Sequence, residues 1–328
     1  MSIGVPVADG TLAVELRERI AGVEKELADA VRSEHDFVTE AARHVMEAGG
    51  KRFRPLVVLL AAQFGDPDAS GVVPAALVVE LTHLATLYHD DVMDGADVRR
   101  GAPSANARWT NSIAIMVGDY LFARASDIVS DLGPDAVRIQ ARTFARLVQG
   151  QIRETIGPSD REDAYLHYLS VVRDKTASLV ATSARFGAMF AGAPAGIVET
   201  LSLYGERLGI AFQLSDDVLD VASETAESGK TPGTDLREGV PTLPVLLAQA
   251  SEAPEGARLR ELLAEDLRDE TRLSEALRLL RADKSITEAR AEVLRWSDSA
   301  RVLLADLPDI PARAALDALC DLVVTRTG

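Results

Sequence analysis

Apolar side chains recur at the spacing of an α-helix in several long segments of this 328-residue chain. In the first segment, the apolar residues that recur at helical spacing are Leu12, Val14, Leu16, Ile20, Val23 and Leu27. The same period recurs over 135–155, 161–190, 196–222 and 284–305. Strands would show strict alternation of apolar and polar residues, and such runs are absent from the sequence. The pattern therefore predicts an all-α fold.

Charge and cysteine content exclude several classes of function. Asp and Glu number 51 against 35 Lys and Arg, so the formal net charge is −16. A surface this acidic is unsuited to nucleic acid or anionic lipid. An anionic ligand would need a local basic cluster or metal ions. The single cysteine, Cys320, excludes an intramolecular disulfide framework.

The sequence predicts one domain over residues 1–328, because Gly and Pro turn signals separate the helices but no interdomain linker or repeat occurs. Residues 223–244 are rich in Gly, Pro, Thr and Ser and form the longest segment predicted to be non-helical. No run approaches 18 uninterrupted apolar residues, and Met1–Gly10 lacks a signal-peptide pattern. We therefore expect no transmembrane segment and a cytoplasmic protein.

Two aspartate clusters each follow an apolar helical run. The first contains Asp90, Asp91 and Asp94, and the second contains Asp216, Asp217 and Asp220. The first and last aspartates of each cluster are four residues apart and share a helix face. Negative charge near a helix C-terminus opposes the helix dipole. A lone cluster could be a solvated helix end, but two copies suggest a cation between carboxylates.

Oxygen ligands without Cys or His suit Mg²⁺ better than Zn²⁺. Mg²⁺ usually shares its coordination with water and substrate phosphates. The two clusters therefore predict a diphosphate ligand held through Mg²⁺.

Basic residues that could match such a ligand lie beside turns. Lys51 and Arg52 belong to a Gly-rich basic turn, and Arg99 and Arg100 follow the first aspartate cluster. The chain has only five lysines, and Lys175 and Lys230 also adjoin turn or polar motifs, where a compact charge suits phosphate oxygens. His83 lies two helical turns before Asp90. It is either a phosphate contact or a buried core histidine.

Six motifs follow one another along the chain. They are GGKRFRP (49–55), HDDVMD followed by RRG (89–101), GDYLFARA (118–125), DKTASL (174–179), FQLSDDVLD (212–220) and GKTPGTDLREGVPTLP (229–244). In this order and spacing they resemble the trans-isoprenyl diphosphate synthases, or polyprenyl synthetases, over roughly residues 40–250.

The resemblance implies a single-domain isoprenoid synthase fold with about ten core helices around a deep central cavity, assembled as a homodimer. It implies Mg²⁺-dependent, head-to-tail condensation of an allylic diphosphate with isopentenyl diphosphate. By the same resemblance, Asp90, Asp94 and Asp216 hold Mg²⁺, and Asp91, Asp217 and Asp220 support that network. The allylic diphosphate is contacted by Arg99, Lys175 and Lys230. The isopentenyl diphosphate pocket is formed by Lys51, Arg52, His83 and Arg100. Thr176 and Gln213 lie near the developing cation.

Two other kinds of protein are related to these synthases and are alternatives to a catalytic prenyltransferase. A terpene cyclase normally carries an Asn/Asp, Ser/Thr, Glu triad in its second metal motif, whereas this chain has aspartates there and keeps the basic turn for a second substrate. A non-catalytic synthase subunit is typified by degraded aspartate motifs, whereas both motifs are intact in this chain. Many family members have Lys at the position of Val240, which puts in doubt a role for that position.

Product length is expected to depend on residues just before the first aspartate cluster. The growing tail should run back along this helix, past Ala85 and Thr86, which lie about one turn, or roughly 5.4 Å, behind the metals. In the family, aromatic residues here stop growth near the farnesyl or geranylgeranyl length. Both residues are small, so the sequence predicts a product longer than geranylgeranyl diphosphate, with the shorter products as the alternative. Phe144, Leu147 and Val148 are candidates for the tunnel floor.

Overall fold

A computed structural model gives the structure of residues 7–222 and 232–326. Most of these residues are helical and the strands are only two residues long, which confirms the predicted all-α class. The α-helices are α1 (Gly10–Ala30), α2 (Asp36–Glu47), α3 (Phe53–Ala62), α4 (Val72–Met93), α5 (Ala105–Arg108), α6 (Asn111–Asp131), α7 (Pro134–Ile156), α8 (Ala164–Val172), α9 (Ser178–Phe190), α10 (Ala195–Ala222), α11 (Thr234–Glu238), α12 (Leu243–Ala250), α13 (Ala257–Leu263), α14 (Glu270–Ala282), α15 (Lys284–Leu303) and α16 (Pro311–Thr325). The other elements are a five-residue π-turn (Arg173–Ala177), two short 3₁₀ turns (Pro254–Gly256 and Leu304–Asp306) and an antiparallel ribbon of β1 (Val98–Arg99) with β2 (Ala102–Pro103).

The chain groups into two compact units, and each unit is described separately. The first consists of Met1–Ala145, Leu179–Gly205 and Leu303–Ala318, and the second of Arg146–Ser178, Glu206–Val302 and Leu319–Gly328. The prediction of one domain over the whole chain stays a prediction.

Helix α4 is the centre of the first unit, because 13 of its 22 residues are buried. It packs most extensively against α6 and α3. A small residue, Gly118 of α6, allows the close approach, since a Cβ there would lie 2.3 Å from Nε2 of His89 on α4. The packing therefore fixes the last two turns of α4, where the first aspartate cluster begins.

Helix α4 is also long enough to raise the question of a membrane span. Within the described part of the chain, Val72–Met93 is the helix whose length and hydropathy would suffice, but 67% of its apolar window is buried inside the protein. Such burial is typical of a core helix. The expected absence of a membrane span and the cytoplasmic location stay predictions.

The core of the second unit holds the C-terminal turns of α10. Val221 of α10 packs with buried aliphatic residues of α11 to α15, including Leu236, Val245, Leu262 and Leu280. Helix α10 runs on to Ala222, so the second aspartate cluster lies within its last two turns rather than closing it. The cluster is thereby held on a packed helix.

Candidate active site

The first aspartate cluster spans the end of α4. Asp94 is the C-cap residue and is exposed, and its backbone N–H donates to the Asp90 carbonyl at 2.8 Å. Asp91 points inward and is fully buried, and it accepts a hydrogen bond from Arg99 Nε at 2.6 Å. Burial raises the pKa of Asp91 above its ordinary value, against the attraction of Arg99. The three carboxylates thus have different surroundings.

Four arginines act electrostatically on His83 of α4. Burial lowers the pKa of His83 well below its ordinary value of 6.5, and the positive charges of Arg54, Arg100, Arg99 and Arg52 lower it further. At neutral pH the imidazole is therefore uncharged while four guanidinium groups act on it. Such a concentration of positive charge in an acidic protein suits a ligand of high negative charge.

The backbone of the basic turn brings two of these arginines together. Arg52 and Arg100 both have left-handed φ angles, 47° and 54°. A Cβ on Gly50, whose own φ is 153°, would lie 2.9 Å from Nη1 of Arg100 and 3.0 Å from Nη1 of Arg52. Only glycine at this position therefore leaves both guanidinium groups where they are.

The guanidinium group of Arg52 makes its hydrogen bonds within the protein. Its buried guanidinium donates to Glu24 at 3.2 Å, to Glu80 at 3.1 Å and to the Met46 carbonyl at 2.9 Å. Lys51, by contrast, is exposed on the same turn. Of the two neighbours, Lys51 has the freer side chain for a ligand.

The second aspartate cluster has a separate protein partner for each carboxylate. Asp216 accepts from Nη2 of Arg326 at 2.5 Å. Asp220 accepts from the backbone N–H groups of Thr234 and Asp235, the first residues of α11, at 3.3 and 3.2 Å. These donors are otherwise orphaned at a helix N-terminus.

Asp217 is buried among donors. Tyr168 Oη donates to Oδ2, and Gln213 Nε2 donates to Oδ1 at 2.9 Å. Burial raises the pKa of Asp217 to about 7, and the neighbouring Asp216 adds to this, although the hydrogen bonds from Tyr168 and Gln213 lower it.

The predicted catalytic residues Lys175 and Thr176 lie in the π-turn between α8 and α9. Lys175 Nζ is paired with Glu154 of α7, and Thr176 Oγ1 donates to Gln213 Oε1 at 2.9 Å. Gly150 lets α7 pack closely against this turn, because a Cβ at this position would lie only 2.6 Å from the Lys175 backbone nitrogen. Lys230 lies outside the described residues.

The predicted chain-length residues differ in exposure. Ala85 has no accessible surface, whereas Thr86 is partly exposed and its hydroxyl donates to the His83 carbonyl at 2.8 Å. The proposed floor residue Phe144 stacks on Phe122 with ring centroids 3.9 Å apart. Of the remaining floor candidates, Leu147 is buried and Val148 is exposed.

Two residues of the site were missed in the sequence. Tyr168 precedes Lys175 by seven residues, so its nearness to the DKTASL motif in the sequence could have suggested it. Arg326 is 110 residues from its partner Asp216, and no local pattern in the sequence connects them.

The carboxylates fit a hard cation that also binds substrate oxygens. Across 7–222 and 232–326, no three His, Cys, Asp or Glu residues are grouped closely enough to hold a metal ion by themselves. An ion at either cluster would take further ligands from water or phosphate, as Mg²⁺ commonly does. The exposed Asp94 and the half-buried Asp90 have the oxygen chemistry for this.

Known proteins show the family to which the chain belongs. Residues 35–280 match the family model described as polyprenyl synthetase. The chain is 50% identical over 326 residues to a nonaprenyl diphosphate synthase of Mycobacterium tuberculosis, covering 99% of this chain and 97% of that protein.

Solved structures give the same result. A geranylgeranyl pyrophosphate synthase of Corynebacterium glutamicum, complexed with calcium and isoprenyl diphosphate, is 45% identical with a TM-score of 0.89, covering 99% of this chain and 100% of that one. A decaprenyl diphosphate synthase of Rhodobacter capsulatus is 37% identical with a TM-score of 0.88, covering 97% and 99%. This chain belongs to the polyprenyl synthetase family, a family of prenyltransferases.

Proposed function

We propose that this protein condenses isopentenyl diphosphate head-to-tail with an allylic diphosphate and releases a polyprenyl diphosphate longer than C20. The observation that carries the proposal is the cluster of four arginines around a neutral His83. It concentrates positive charge in a chain of net charge −16, and His83 lies on the helix that ends in the first aspartate cluster.

Product length rests on two kinds of support. The relative at 50% identity is named as a nonaprenyl synthase and a structural neighbour as a decaprenyl synthase, although the neighbour at 45% identity is named as a geranylgeranyl synthase. The turn of α4 before Asp90 carries Ala85 and Thr86 rather than an aromatic ring. A geranylgeranyl or farnesyl product is the alternative.

The residues that would hold Mg²⁺ are Asp90 and Asp94 in the first cluster and Asp216 in the second. When bound, Mg²⁺ neutralises the charge that grows on the leaving diphosphate. The carboxylates of Asp91, Asp217 and Asp220 would support this arrangement through the protein contacts they already make.

The reaction breaks the allylic C–O bond, and its electron pair leaves with the diphosphate. Lys175 and Arg99 would donate to the departing oxygens, and these contacts strengthen as the charge develops. The double bond of isopentenyl diphosphate then supplies the electron pair of the new C–C bond, and the proton that is lost passes to the released diphosphate. Thr176 and Gln213 would present their oxygens to the transient cation.

Product analysis tests the proposal. Purified protein, isopentenyl diphosphate, an allylic primer and Mg²⁺ should give a polyprenyl diphosphate, measured by mass spectrometry after dephosphorylation, and EDTA should abolish it. Asp90→Asn and Asp216→Asn should lower turnover by orders of magnitude, whereas Lys284→Ala, in an exposed surface ion pair, should not. A cyclic hydrocarbon would indicate a terpene cyclase, and no product from any primer would indicate a non-catalytic subunit.

We further propose that a second copy of the chain covers the outer face of α7. Val148, Ile152 and Ile156 are four residues apart on one face and are 42%, 51% and 77% exposed. Two copies that each carry a net charge of −16 repel one another, so burial of these apolar side chains would have to hold them together.

Sedimentation should show a dimer that Ile152→Glu dissociates, whereas Val302→Glu, at an isolated exposed valine, should leave the wild-type mass. A monomeric wild type would contradict the proposal.

A further inference from the structure

A row of three hydrogen bonds connects two helices of the second unit through side chains alone. Thr176 Oγ1 donates to Gln213 Oε1 at 2.9 Å, and Gln213 Nε2 donates to Asp217 Oδ1 at 2.9 Å. Tyr168 Oη donates to the other oxygen of the same carboxylate.

This row fixes which way the Gln213 amide faces. A glutamine side chain is almost symmetric in shape, so only its partners decide where the NH₂ group and the carbonyl lie. Because Nε2 is taken by Asp217, Oε1 must face Thr176. The Thr176 hydroxyl gives its single proton to Oε1, so its own lone pairs are directed away from Gln213.

The carboxylate of Asp217 can keep this orientation only if it is itself held. It is buried, and a carboxylate there with an unbonded oxygen would be strongly destabilised. Tyr168 donates the hydrogen bond that this second oxygen needs. It lies on α8, which ends directly before the π-turn. The phenol therefore ties the second aspartate cluster to the element that carries Lys175 and Thr176.

We propose that Tyr168 is a positioning residue for prenyl transfer: through Asp217 it holds the Gln213 and Thr176 oxygens as oriented dipoles for the allylic cation. The inference rests on the proposed function. It also gives Asp217 a role distinct from that of Asp216, since Asp217 orients an amide and Asp216 would hold metal. Electrostatic preorganisation of this kind contributes to the rate and not to ground-state binding.

Tyr168→Phe removes the one oxygen on which the argument depends. We expect kcat to fall by roughly tenfold or more, as is typical when an orienting partner is lost, with KM for both diphosphates changed less than about twofold. The Mg²⁺ concentration for half-maximal activity should stay at the wild-type value, whereas Asp216→Asn should raise it. Tyr165→Phe, the same change three residues earlier on α8, is the matched control and should leave kcat unaltered.

A double-mutant cycle separates positioning from general damage. If Tyr168 acts through Gln213, Tyr168→Phe should have no further effect on kcat in a Gln213→Leu background. Additive losses would overturn the proposal. So would a Tyr168→Phe enzyme that matches the Tyr165→Phe control, or one that needs more Mg²⁺.

The Gln213 side-chain amide gives a readout that does not depend on turnover. Its ¹H–¹⁵N signal, assigned by its loss in Gln213→Leu, should be protected from solvent exchange in wild type and in Tyr165→Phe. Tyr168→Phe should shift it and increase its exchange rate, and an unchanged signal would refute the network. If wild type makes no prenyl product, the proposed function fails and the positioning role with it, while the amide signal still reports on the hydrogen bonds.

Discussion

Four arginine guanidinium groups act on His83 and, with burial, keep its pKa well below the ordinary value of 6.5. In the unfolded chain this imidazole takes up a proton as the pH falls through about 6.5, whereas in the folded protein it stays neutral. The unfolded state therefore binds more protons below that pH, and stability falls as the pH is lowered. Well above pH 6.5 the imidazole is neutral in both states, and His83 adds no pH dependence.

His83→Gln should remove this part of the acid sensitivity. Urea unfolding at pH 5.5 and at pH 7.5 measures it, and the difference in unfolding free energy should be smaller in the variant than in wild type. The exposed His35 offers a control, since His35→Gln should keep the wild-type difference. Equal pH dependence in wild type and His83→Gln would contradict the assignment.

Arg52 gives a second prediction at this scale, because it joins two carboxylates and a carbonyl from inside the protein. Arg52→Ala would leave Glu80 buried without its partner, and breaking a buried pair in this way typically lowers the unfolding free energy by about 3–5 kcal/mol. Chemical denaturation is the measurement, with the exposed Arg17→Ala as control. A loss below about 1 kcal/mol would show that the pair does not hold the turn.

Residue types at the site could be predicted from the sequence, whereas their partners could not. The motifs indicate that Arg52, His83 and Arg100 belong to one region, and His83 indeed experiences both arginine charges. Nothing local indicates that Arg52 is bound by Glu24 and Glu80, each 28 residues away. Such pairs depend on how helices pack, which single-sequence periodicity does not encode.

The π-turn at Arg173–Ala177 is the element on which Lys175 and Thr176 depend. Gly150→Ala would place a methyl group 2.6 Å from the Lys175 backbone nitrogen, so the turn must move. We expect kcat to fall by about tenfold or more, because the displaced oxygens no longer match the reacting centre. Steady-state kinetics measure this.

The chain offers a matched control for that substitution. Gly22 lies within α1 and a Cβ there meets nothing within 4 Å, so Gly22→Ala should keep kcat and stabilise the fold by roughly 0.5–1 kcal/mol. If Gly150→Ala behaves as Gly22→Ala does, the close contact has no functional role.

Long helices were predictable because their apolar period is regular. The predicted segments 135–155 and 284–305 correspond to Pro134–Ile156 and Lys284–Leu303. The segment 161–190 contains α8 and α9, but the π-turn between them has no periodic signature. Within the predicted non-helical segment, Thr234–Glu238 is a short helix, because the distant Asp220 carboxylate satisfies its first N–H groups.

Product length is a property of the whole molecule, and the structure separates the two residues predicted to control it. Thr86 has accessible surface and Ala85 has none. Thr86→Phe should therefore shorten the product with the diphosphate sites intact, as mass analysis of the dephosphorylated product would show. Ala85→Phe should chiefly overpack α4, lowering the unfolding free energy by about 1–3 kcal/mol. Wild-type product length in Thr86→Phe would show that the tail takes another path.

The π-turn also determines how α8 is rotated about its own axis. An i→i+5 turn accommodates one residue more than an α-helical turn, so α8 is offset by one position, or roughly 100° of rotation, from the register of an uninterrupted α-helix. Removing a single residue from Arg173–Ala177 would close this offset and turn Tyr168 about the helix axis, away from its hydrogen-bond partner Asp217. Apart from Lys175 and Thr176, the positions of this stretch should therefore accept exchanges of side chain, whereas its length should accept no change.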